Sequence, residues 1–371
     1  MKKIALYLAG GGARGAYQAG ALKAIQTILN AQQLPFETIT GVSVGSINAA
    51  VLAQHADDFS AGILNLEALW SNIHCEQIFS TSNYQLSKSV LRNVSNLVVK
   101  QQRAGYLLDT EPLHTFIQKN IHFEKIEKYI RKGLLKTLEI ITHCYETQQT
   151  ISFYQTHDTT FEDWHYPRHI SKRSHLKVEH ILSSTALPLF FPTVKIHGSH
   201  FGDGSMGLVF PLRGPIRFNV DKILIIGTRQ PYLVSEPETL RNGDIGFAHI
   251  LGSMLNGLFL DNLDRDIEMV NRMNEIAKMV SLWNKRHSPW RPIETLHLRP
   301  SLNVGHIAQN QYDSMPGLLR FLLNVLGAKS HSGDLLSFLL FERPFTDILF
   351  KLGYEDTLRE ESVIIDFFSN K

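Results

Sequence analysis

The chain has 371 residues, 43% of them hydrophobic, and its 37 basic and 35 acidic residues leave a net charge of +2. This composition is typical of a globular protein with a large core, and it gives no electrostatic reason to expect a nucleic-acid partner. The two cysteines, Cys75 and Cys144, are too few for a disulfide scaffold or a cysteine-rich zinc site, and favour a reducing, cytoplasmic location.

The first predicted element is a β-strand over residues 4–9. With the basic residues before it, this apolar run faintly resembles a secretory signal, but it is too short and continues directly into a glycine loop. No stretch approaches the ~18–20 apolar residues of a membrane-spanning helix. We therefore expect neither a signal peptide nor a membrane span.

The glycine loop covers residues 10–15 and precedes a predicted helix over residues 16–29. Backbone N–H groups at a helix N-terminus can hold a pyrophosphate or an oxyanion equally well. Gly10, Gly12 and Gly15 match the G-x-G-x-x-G dinucleotide fingerprint, and Glu37 lies about twenty residues further on. In that fingerprint the second strand ends on the acidic residue, whereas here the strand continues past Glu37. An oxyanion loop is therefore favoured, with a dinucleotide site as the alternative.

A second glycine-framed motif, residues 41–45, matches the G-x-S-x-G nucleophile elbow. A β-prone stretch over residues 38–40 precedes it, and a helix of small residues follows. Such a turn is so tight that its nucleophile adopts a strained conformation and flanking side chains would clash. Ser43 would stand at the N-terminus of the helix, where a developing anion is favoured. The alternative is an ordinary turn with an incidental serine.

Strand-like and helical runs alternate along the rest of the chain, which predicts an α/β layer fold. A helix should start near Pro112, and a hairpin is predicted over residues 138–154. Further strands are expected at residues 194–196, 222–227 and 295–298, and one long helix at residues 246–280. After residue 305 the chain becomes apolar and helical. We predict a catalytic domain over residues 1–305 and a helical extension over residues 306–371, packed on the core near the mouth of the site.

Residues 87–103 interleave basic and apolar side chains, as in Lys88, Val90, Arg92 and Val94. A basic amphipathic segment can lie on an anionic lipid surface, and its ordinary alternative is a solvated helix with one buried face. Peripheral membrane contact is the functional prediction for this segment.

Four motifs in order resemble the patatin-like phospholipase family. They are the glycine loop, the serine elbow, the Ser-Ser-Thr-Ala-Leu-Pro stretch at residues 183–188 with Phe191-Pro192, and Asp203-Gly204-Ser205. The resemblance covers about residues 1–230 and implies a three-layer α/β/α fold with a mostly parallel central sheet. Ser205 is a departure, since the family more often has Gly or Ala there.

The resemblance also implies a chemistry: a serine lipid acyl hydrolase in which Ser43 is the nucleophile and Asp203 the base, without histidine. The residues implied for the oxyanion hole are Gly10, Gly11, Gly12, Arg14 and Gly15. The expected substrate is a phospholipid, lysophospholipid or other acyl lipid, and no metal or cofactor is required. Because a carboxylate with a pKa near ~3.9 is a weak base, we expect burial to raise that pKa.

Several alternatives stay open from sequence. A conventional triad would need a histidine, and the candidates are His180, His197, His200, His249 and His306. Asp203-Gly204 alone could be a hairpin turn. Acyl transfer to an acceptor other than water, a dinucleotide-dependent enzyme and a non-catalytic lipid-binding protein are the competing functions. The sequence does not predict an oligomeric state.

Overall fold

The computed structural model describes residues 2–80, 106–231, 247–259, 261–279, 291–325 and 333–369. In these residues one sheet holds ten strands: β1 Ile4–Leu8, β2 Thr38–Val42, β3 Thr137–Cys144, β4 Gln149–Thr156, β5 His165–Tyr166, β6 His169–Arg173, β7 Val194–Ile196, β8 Ser199–Asp203, β9 Lys222–Ile226 and β10 Glu294–Leu298. The order is β10-β9-β1-β2-β3-β4-β6-β5, with β8 paired to β3 and β7 to β8.

The five strands from β10 to β3 are all parallel, and antiparallel pairing enters with β4, β8, β7 and β5. The predicted mostly parallel central sheet is therefore confirmed. A parallel strand covered on both faces is expected to be apolar throughout, as Lys222–Ile226 is after its first residue. The predicted hairpin is also confirmed as β3 and β4, which run from Thr137 to Thr156 and so extend slightly beyond the predicted residues 138–154 at both ends.

Helices cover both faces of the sheet. In the described residues they are α1 Gly15–Leu29, α2 Val44–Ala53, α3 Phe59–Ser71, α4 Cys75–Ile78, α5 Glu111–Asn120, α6 Phe123–Arg131, α7 Val178–Ser184, α8 Arg213–Arg217, α9 Phe247–Phe259, α10 Asp261–Met279, α11 Val304–Asn310, α12 Gly317–Val325, α13 Gly333–Leu339, α14 Arg343–Arg359 and α15 Glu361–Phe368. Short 3₁₀ turns lie at Gly12–Arg14 and Tyr312–Ser314.

Alternation along β1 separates two hydrophobic cores. Leu6 and Leu8 belong to a large core that includes α1, α2 and α3, whereas Ala5 and Tyr7 face a smaller core with α10. Successive side chains of a strand point to opposite faces, so each face buries its own layer of helices. This is the three-layer α/β/α arrangement.

Two sequence predictions on element bounds need correction. The second strand runs to Val42 rather than Thr40, because it stays paired with β3 up to the start of the elbow. The stretch predicted as one long helix contains two, Phe247–Phe259 and Asp261–Met279, with residue 260 outside the description. Residues 87–103 also lie outside the described residues. Of the helices described, none has the length and apolarity to cross a membrane.

The apolar runs after residue 305 form helices, as predicted. Helix α14 crosses α1 at close range, where Gly20 faces the carbonyl of Phe350 and Gly353 faces the carbonyl of Tyr17. A Cβ at either glycine would overlap these oxygens, so the close crossing requires glycine on both helices. The C-terminal helices are therefore packed on the core, while the proposed boundary at residue 305 stays a prediction.

Candidate active site

Two strands meet end to end along one edge of β3, and this brings the serine and aspartate motifs together. Strand β2 runs parallel to β3 and ends with Val42 opposite Ile141. Strand β8 runs antiparallel and ends with Asp203 opposite Thr142, the next residue of β3. Residues that follow two abutting strand ends must be neighbours. The residue after Val42 is Ser43, so the register places it beside Asp203.

Ser43 occupies the strained turn predicted for a nucleophile elbow, with φ 52° and ψ −129°. A Cβ at Gly41 would lie 2.5 Å from the Cα of Ser46, and one at Gly45 would overlap the carbonyl of Leu8. The backbone therefore passes too closely for any side chain at either glycine. Non-glycine residues rarely adopt positive φ, and such strain persists only where the surrounding structure imposes it.

Ser184, in the last turn of α7, holds the elbow in place. Its Oγ accepts a hydrogen bond from the amide of Ser43 at 2.9 Å and donates one to the carbonyl of Ile141 at 2.6 Å. Ser184 belongs to the Ser-Ser-Thr-Ala-Leu-Pro motif, but the motif alone indicated no role for it. Its contact with Ser43 spans 141 positions of sequence, and no local pattern announces it.

The hydroxyl of Ser43 donates a hydrogen bond to Oδ2 of Asp203 at 2.6 Å, while the amide of Ser205 donates to Oδ1 at 2.9 Å. Asp203 is completely buried, and burial raises its pKa to about 6, although these hydrogen bonds oppose the rise. A carboxyl group with this pKa is ionised at neutral pH and is a stronger base than an exposed aspartate.

The glycine loop lies against Ser43, and hydrogen bonds to two of its carbonyl groups fix the orientation of its peptides. The carbonyl of Gly10 accepts a hydrogen bond from Thr228 Oγ1 at 2.6 Å, and the carbonyl of Gly11 accepts one from the amide of Arg14 at 3.2 Å. In a trans peptide the N–H points away from the preceding carbonyl. The amides of Gly11 and Gly12 are thus directed away from these partners, and both residues line the same pocket as Ser43.

Arg14 and Gly15 differ from the other residues of the loop. The amide of Arg14 donates to Gly11 and that of Gly15 to Gly12, so neither presents a free N–H to the pocket. The guanidinium of Arg14 is 2% exposed and donates from Nε to Ser337 Oγ at 2.8 Å. Burial lowers the pKa of Arg14 to about 10, and nearby Asp334 opposes this, so the group stays charged.

A narrow apolar pocket with a free volume of about 30 Å³ begins at Ser43. Its wall combines residues of the loop and elbow and Thr185 with aliphatic and aromatic side chains from the region of α2 to α5, the segment after α7 and the C-terminal region: Gly11, Gly12, Ser43, Val44, Ile47, Leu69, Trp70, Ile73, Ile78, Leu113, Phe116, Thr185, Leu187, Phe191, Phe338 and Phe341. The predicted proximity of the C-terminal helices to the site is visible in the last two residues.

Two polar residues that were not predicted from the sequence, Asn48 and Gln18, support the loop and the pocket wall. Asn48 donates from Nδ2 to the carbonyl of Gly15 at 3.1 Å and accepts from Trp70 Nε1 at 2.9 Å. Gln18 donates to the carbonyl of Ala9 at 2.8 Å and accepts from Asn48. The sequence feature that could have identified them is an amide side chain within each of two helices, α1 and α2, that consist largely of small apolar residues.

None of the described residues that line the pocket is a histidine. His180 packs on Phe153 and accepts a hydrogen bond from the amide of Lys177, and His200 pairs with Glu146 at the surface. The side chain of His249 lies outside the description. Across the described ranges, no three His, Cys, Asp or Glu side chains converge to hold a metal ion.

Glu37, the acidic residue of the dinucleotide alternative, lies beside the start of strand β1, whereas the glycine loop follows the end of that strand. Its amide donates to the carbonyl of Ile4 at 2.9 Å, and its carbonyl accepts from Lys136 at 2.7 Å. The loop follows the other end of β1, and a strand of this length spans about 17 Å. Glu37 is therefore too far away to bind the ribose of a nucleotide held by the loop.

A family model for patatin-like phospholipases matches residues 6–216. This match covers more than half of the chain and includes the glycine loop, the serine elbow and the aspartate motif. The chain belongs to the patatin-like phospholipase family. Membership implies, in general terms, lipid hydrolysis and a lipid substrate.

Among solved structures, the chain is similar to VipD from Legionella pneumophila, with 12% identity, a TM-score of 0.37, and coverage of 98% of this chain and 67% of that one. It is also similar to the complex of SpcU with ExoU from the type III secretion system of Pseudomonas aeruginosa, with 13% identity, a TM-score of 0.26, and coverage of 91% and 70%. No curated protein matches the sequence significantly. The family assignment therefore rests on the sequence match.

Proposed function

We propose that this protein is a serine lipid acyl hydrolase that uses Ser43 as nucleophile and Asp203 as its only general base. The observation that carries the proposal is the 2.6 Å hydrogen bond between Ser43 Oγ and Asp203 Oδ2 at the start of an apolar pocket. Family membership supports the class of reaction, and the positive φ of Ser43 supports its role as the attacking residue.

In the first half of the reaction, Ser43 Oγ attacks the ester carbonyl while its proton passes to Asp203. The carbonyl oxygen becomes an oxyanion, for which the amides of Gly11 and Gly12 are the proposed donors. Asp203 then gives the proton to the leaving alcohol, the ester C–O bond breaks, and an acyl-enzyme remains. In the second half, water attacks the acyl-enzyme and passes a proton to Asp203. That proton returns to Ser43 as the fatty acid leaves.

The sources of rate in this scheme can be ranked. A general base contributes about 10²–10⁴-fold, and each well-placed oxyanion donor about 10²–10³-fold. A lone carboxylate lies at the weaker end for a base, so most of the acceleration should come from the glycine loop. The loop is suited to this because its carbonyls are already bonded to other groups and need little rearrangement.

The lining of the pocket supports an acyl chain as the group bound next to Ser43. Apart from residues of the loop and elbow and Thr185, every residue of the wall is aliphatic or aromatic. A phospholipid or lysophospholipid is presented at a bilayer or micelle surface, so peripheral membrane contact is part of the proposal. A cytoplasmic location remains the prediction made from the cysteine content.

The test combines a fluorophosphonate probe with p-nitrophenyl esters of several chain lengths. We expect labelling and turnover in the wild type, neither in Ser43→Ala, and little of either in Asp203→Ala. His200→Ala is the matched control, since His200 lies at the surface bonded to Glu146. Loss of activity in His200→Ala with retention in Asp203→Ala would contradict the dyad. Product analysis with added alcohols separates hydrolysis from acyl transfer.

A further inference from the structure

The side chain of Arg14 links the glycine loop to α13, a helix well beyond residue 216, where the family match ends. Besides its bond to Ser337, the guanidinium lies 3.3 Å from Asp334 Oδ1 and 4.3 Å from the centre of the Phe338 ring. A buried cation is stable only with such partners, and loss of one is costly. The position of Arg14, and with it that of the loop, therefore depends on α13.

The backbone of α13 also touches the loop directly. Gly12 has φ 57°, and the carbonyl of Phe338 occupies the space that a Cβ at Gly12 would need. Gly12 is one of the two proposed oxyanion donors. A small shift of α13 would therefore change the environment of this donor even if Arg14 kept its hydrogen bonds.

The same helix forms part of the pocket wall. The ring of Phe338 lines the pocket and also stacks on the guanidinium of Arg14, and Phe341 follows two residues after the helix ends. An acyl chain in the pocket would pack against both rings and favour the position of α13 that they require. A short acyl group would leave this part of the wall without contact.

We propose that α13 couples occupancy of the acyl pocket to the geometry of the oxyanion loop, with Ser337 and Asp334 as positioning residues that act through Arg14. This inference rests on the proposed function and adds a determinant of specificity to it. Binding energy from the acyl chain is used in the transition state, so a longer chain raises kcat in addition to lowering KM.

The experiment measures kcat and KM for p-nitrophenyl acetate, butyrate, octanoate and dodecanoate in the wild type and Ser337→Ala. We expect wild-type kcat to rise with chain length until the pocket is full. In Ser337→Ala this rise should flatten, with kcat for the octanoate lowered by about tenfold and kcat for the acetate nearly unchanged. Asp334→Asn, which alters a half-exposed side chain, should flatten the rise in the same direction.

The matched control is Ser314→Ala. The hydroxyl of Ser337 donates a hydrogen bond to the carbonyl of Asp334, and the hydroxyl of Ser314 likewise donates one to the carbonyl of Gln311, at 2.7 Å, but Arg14 does not bond to Ser314. This variant should keep the wild-type dependence on chain length. Combining Ser337→Ala with Arg14→Lys should cost less than the two separate losses together, because both changes remove the same link.

The outcomes separate the two claims. If the wild type hydrolyses none of the esters, the proposed function fails and this inference with it. If the wild type is active but Ser337→Ala behaves like Ser314→Ala, or lowers kcat equally for every ester, the coupling is overturned and the hydrolase is not.

Discussion

Two buried pairs of a carboxyl and a hydroxyl group lie in or directly after strand β2, and only one of them belongs to the candidate active site. Asp203 accepts from Ser43 at 2.6 Å, and Glu139 accepts from Thr40 at 2.7 Å. Both carboxyl groups are fully buried. Burial raises the pKa of Asp203 to about 6 and that of Glu139 to about 7, against opposing hydrogen bonds.

The surroundings of the two pairs differ more than the pairs themselves. Thr40 is in a regular strand, and Gly214 packs against the carboxyl of Glu139 so closely that no side chain would fit there. Ser43 is in a strained turn at the start of a helix, beside the glycine loop and an apolar pocket. A buried carboxyl with a raised pKa is thus not a sufficient sign of catalysis. The strained backbone of Ser43, the adjacent glycine loop and the adjoining apolar pocket are the distinguishing features.

Exchange of each carboxyl for its amide tests this contrast most strongly. Asp203→Asn should lower kcat/KM for an octanoate ester by about 10²–10⁴-fold, because an amide cannot accept the proton of Ser43. Glu139→Gln should change kcat/KM by only a few fold. Steady-state kinetics on both variants, with melting temperatures to confirm folding, provide the measurement. An inactive Glu139→Gln beside an active Asp203→Asn would reverse our assignment of the two pairs.

The second test removes the loop's contribution while leaving the dyad intact. Gly12→Ala places a Cβ against the carbonyl of Phe338 at a residue with φ 57°, so the loop must move. We expect kcat to fall by about 10²-fold, the cost of one lost oxyanion donor. Gly317→Ala is the control, since nothing lies within 4 Å of the added carbon. Equal activity in the two variants would argue against Gly12 as a donor.

The pH dependence of the rate should report Asp203 and not Glu139. A base must be ionised to accept a proton, so kcat/KM should fall about tenfold per pH unit below the pKa of Asp203, about 6. Glu139→Gln should keep the same midpoint. The measurement is the pH–rate profile of wild type and variant on one ester. A midpoint that moves in Glu139→Gln would show that the rate depends on Glu139 and not on Asp203.

The smallest expected effect concerns stability. The folded-state pKa of Glu139, about 7, exceeds its unfolded value near ~4.3, so the folded protein holds this proton more tightly. Its contribution to stability is therefore highest below the unfolded pKa and declines as pH rises through about 7. Glu139→Gln removes this decline. Its urea midpoint relative to wild type should be higher at about pH 8 than at about pH 5, and an equal difference at both would contradict the expectation.

The predictable parts of this molecule are those governed by local sterics. Gly41 is required by contacts within the turn itself, with Gly45 and Ser46, so the motif alone was sufficient to predict the strained turn at Ser43. Gly45, in contrast, is required by the carbonyl of Leu8 on the neighbouring strand β1. The β3–β4 hairpin is local, as the contacts of Gly41 are. The alternation of apolar runs was sufficient for the layer architecture, because each run must bury its own face.

The remaining features depend on contacts across long stretches of chain. Asp203 lies beside Ser43 because β8 pairs with β3. The two residues are 160 positions apart in the sequence, and this spacing alone does not predict that they are in contact. Arg14 was predicted within the oxyanion loop, but its side-chain partner lies 323 positions away. The Thr40–Glu139 pair was not predicted at all, since a threonine and a glutamate in two strands form no recognisable pattern.

The long separations between partners also order events during synthesis. A ribosome delivers Ser43 and its turn long before Asp203 emerges, and Ser337 emerges later still. A nascent chain cut short anywhere before the final helices would carry the attacking hydroxyl without the complete support around it. Under our proposal, a fragment that ends before Asp203 lacks the general base and should be inactive, whereas one that ends before α13 lacks only the support of Arg14.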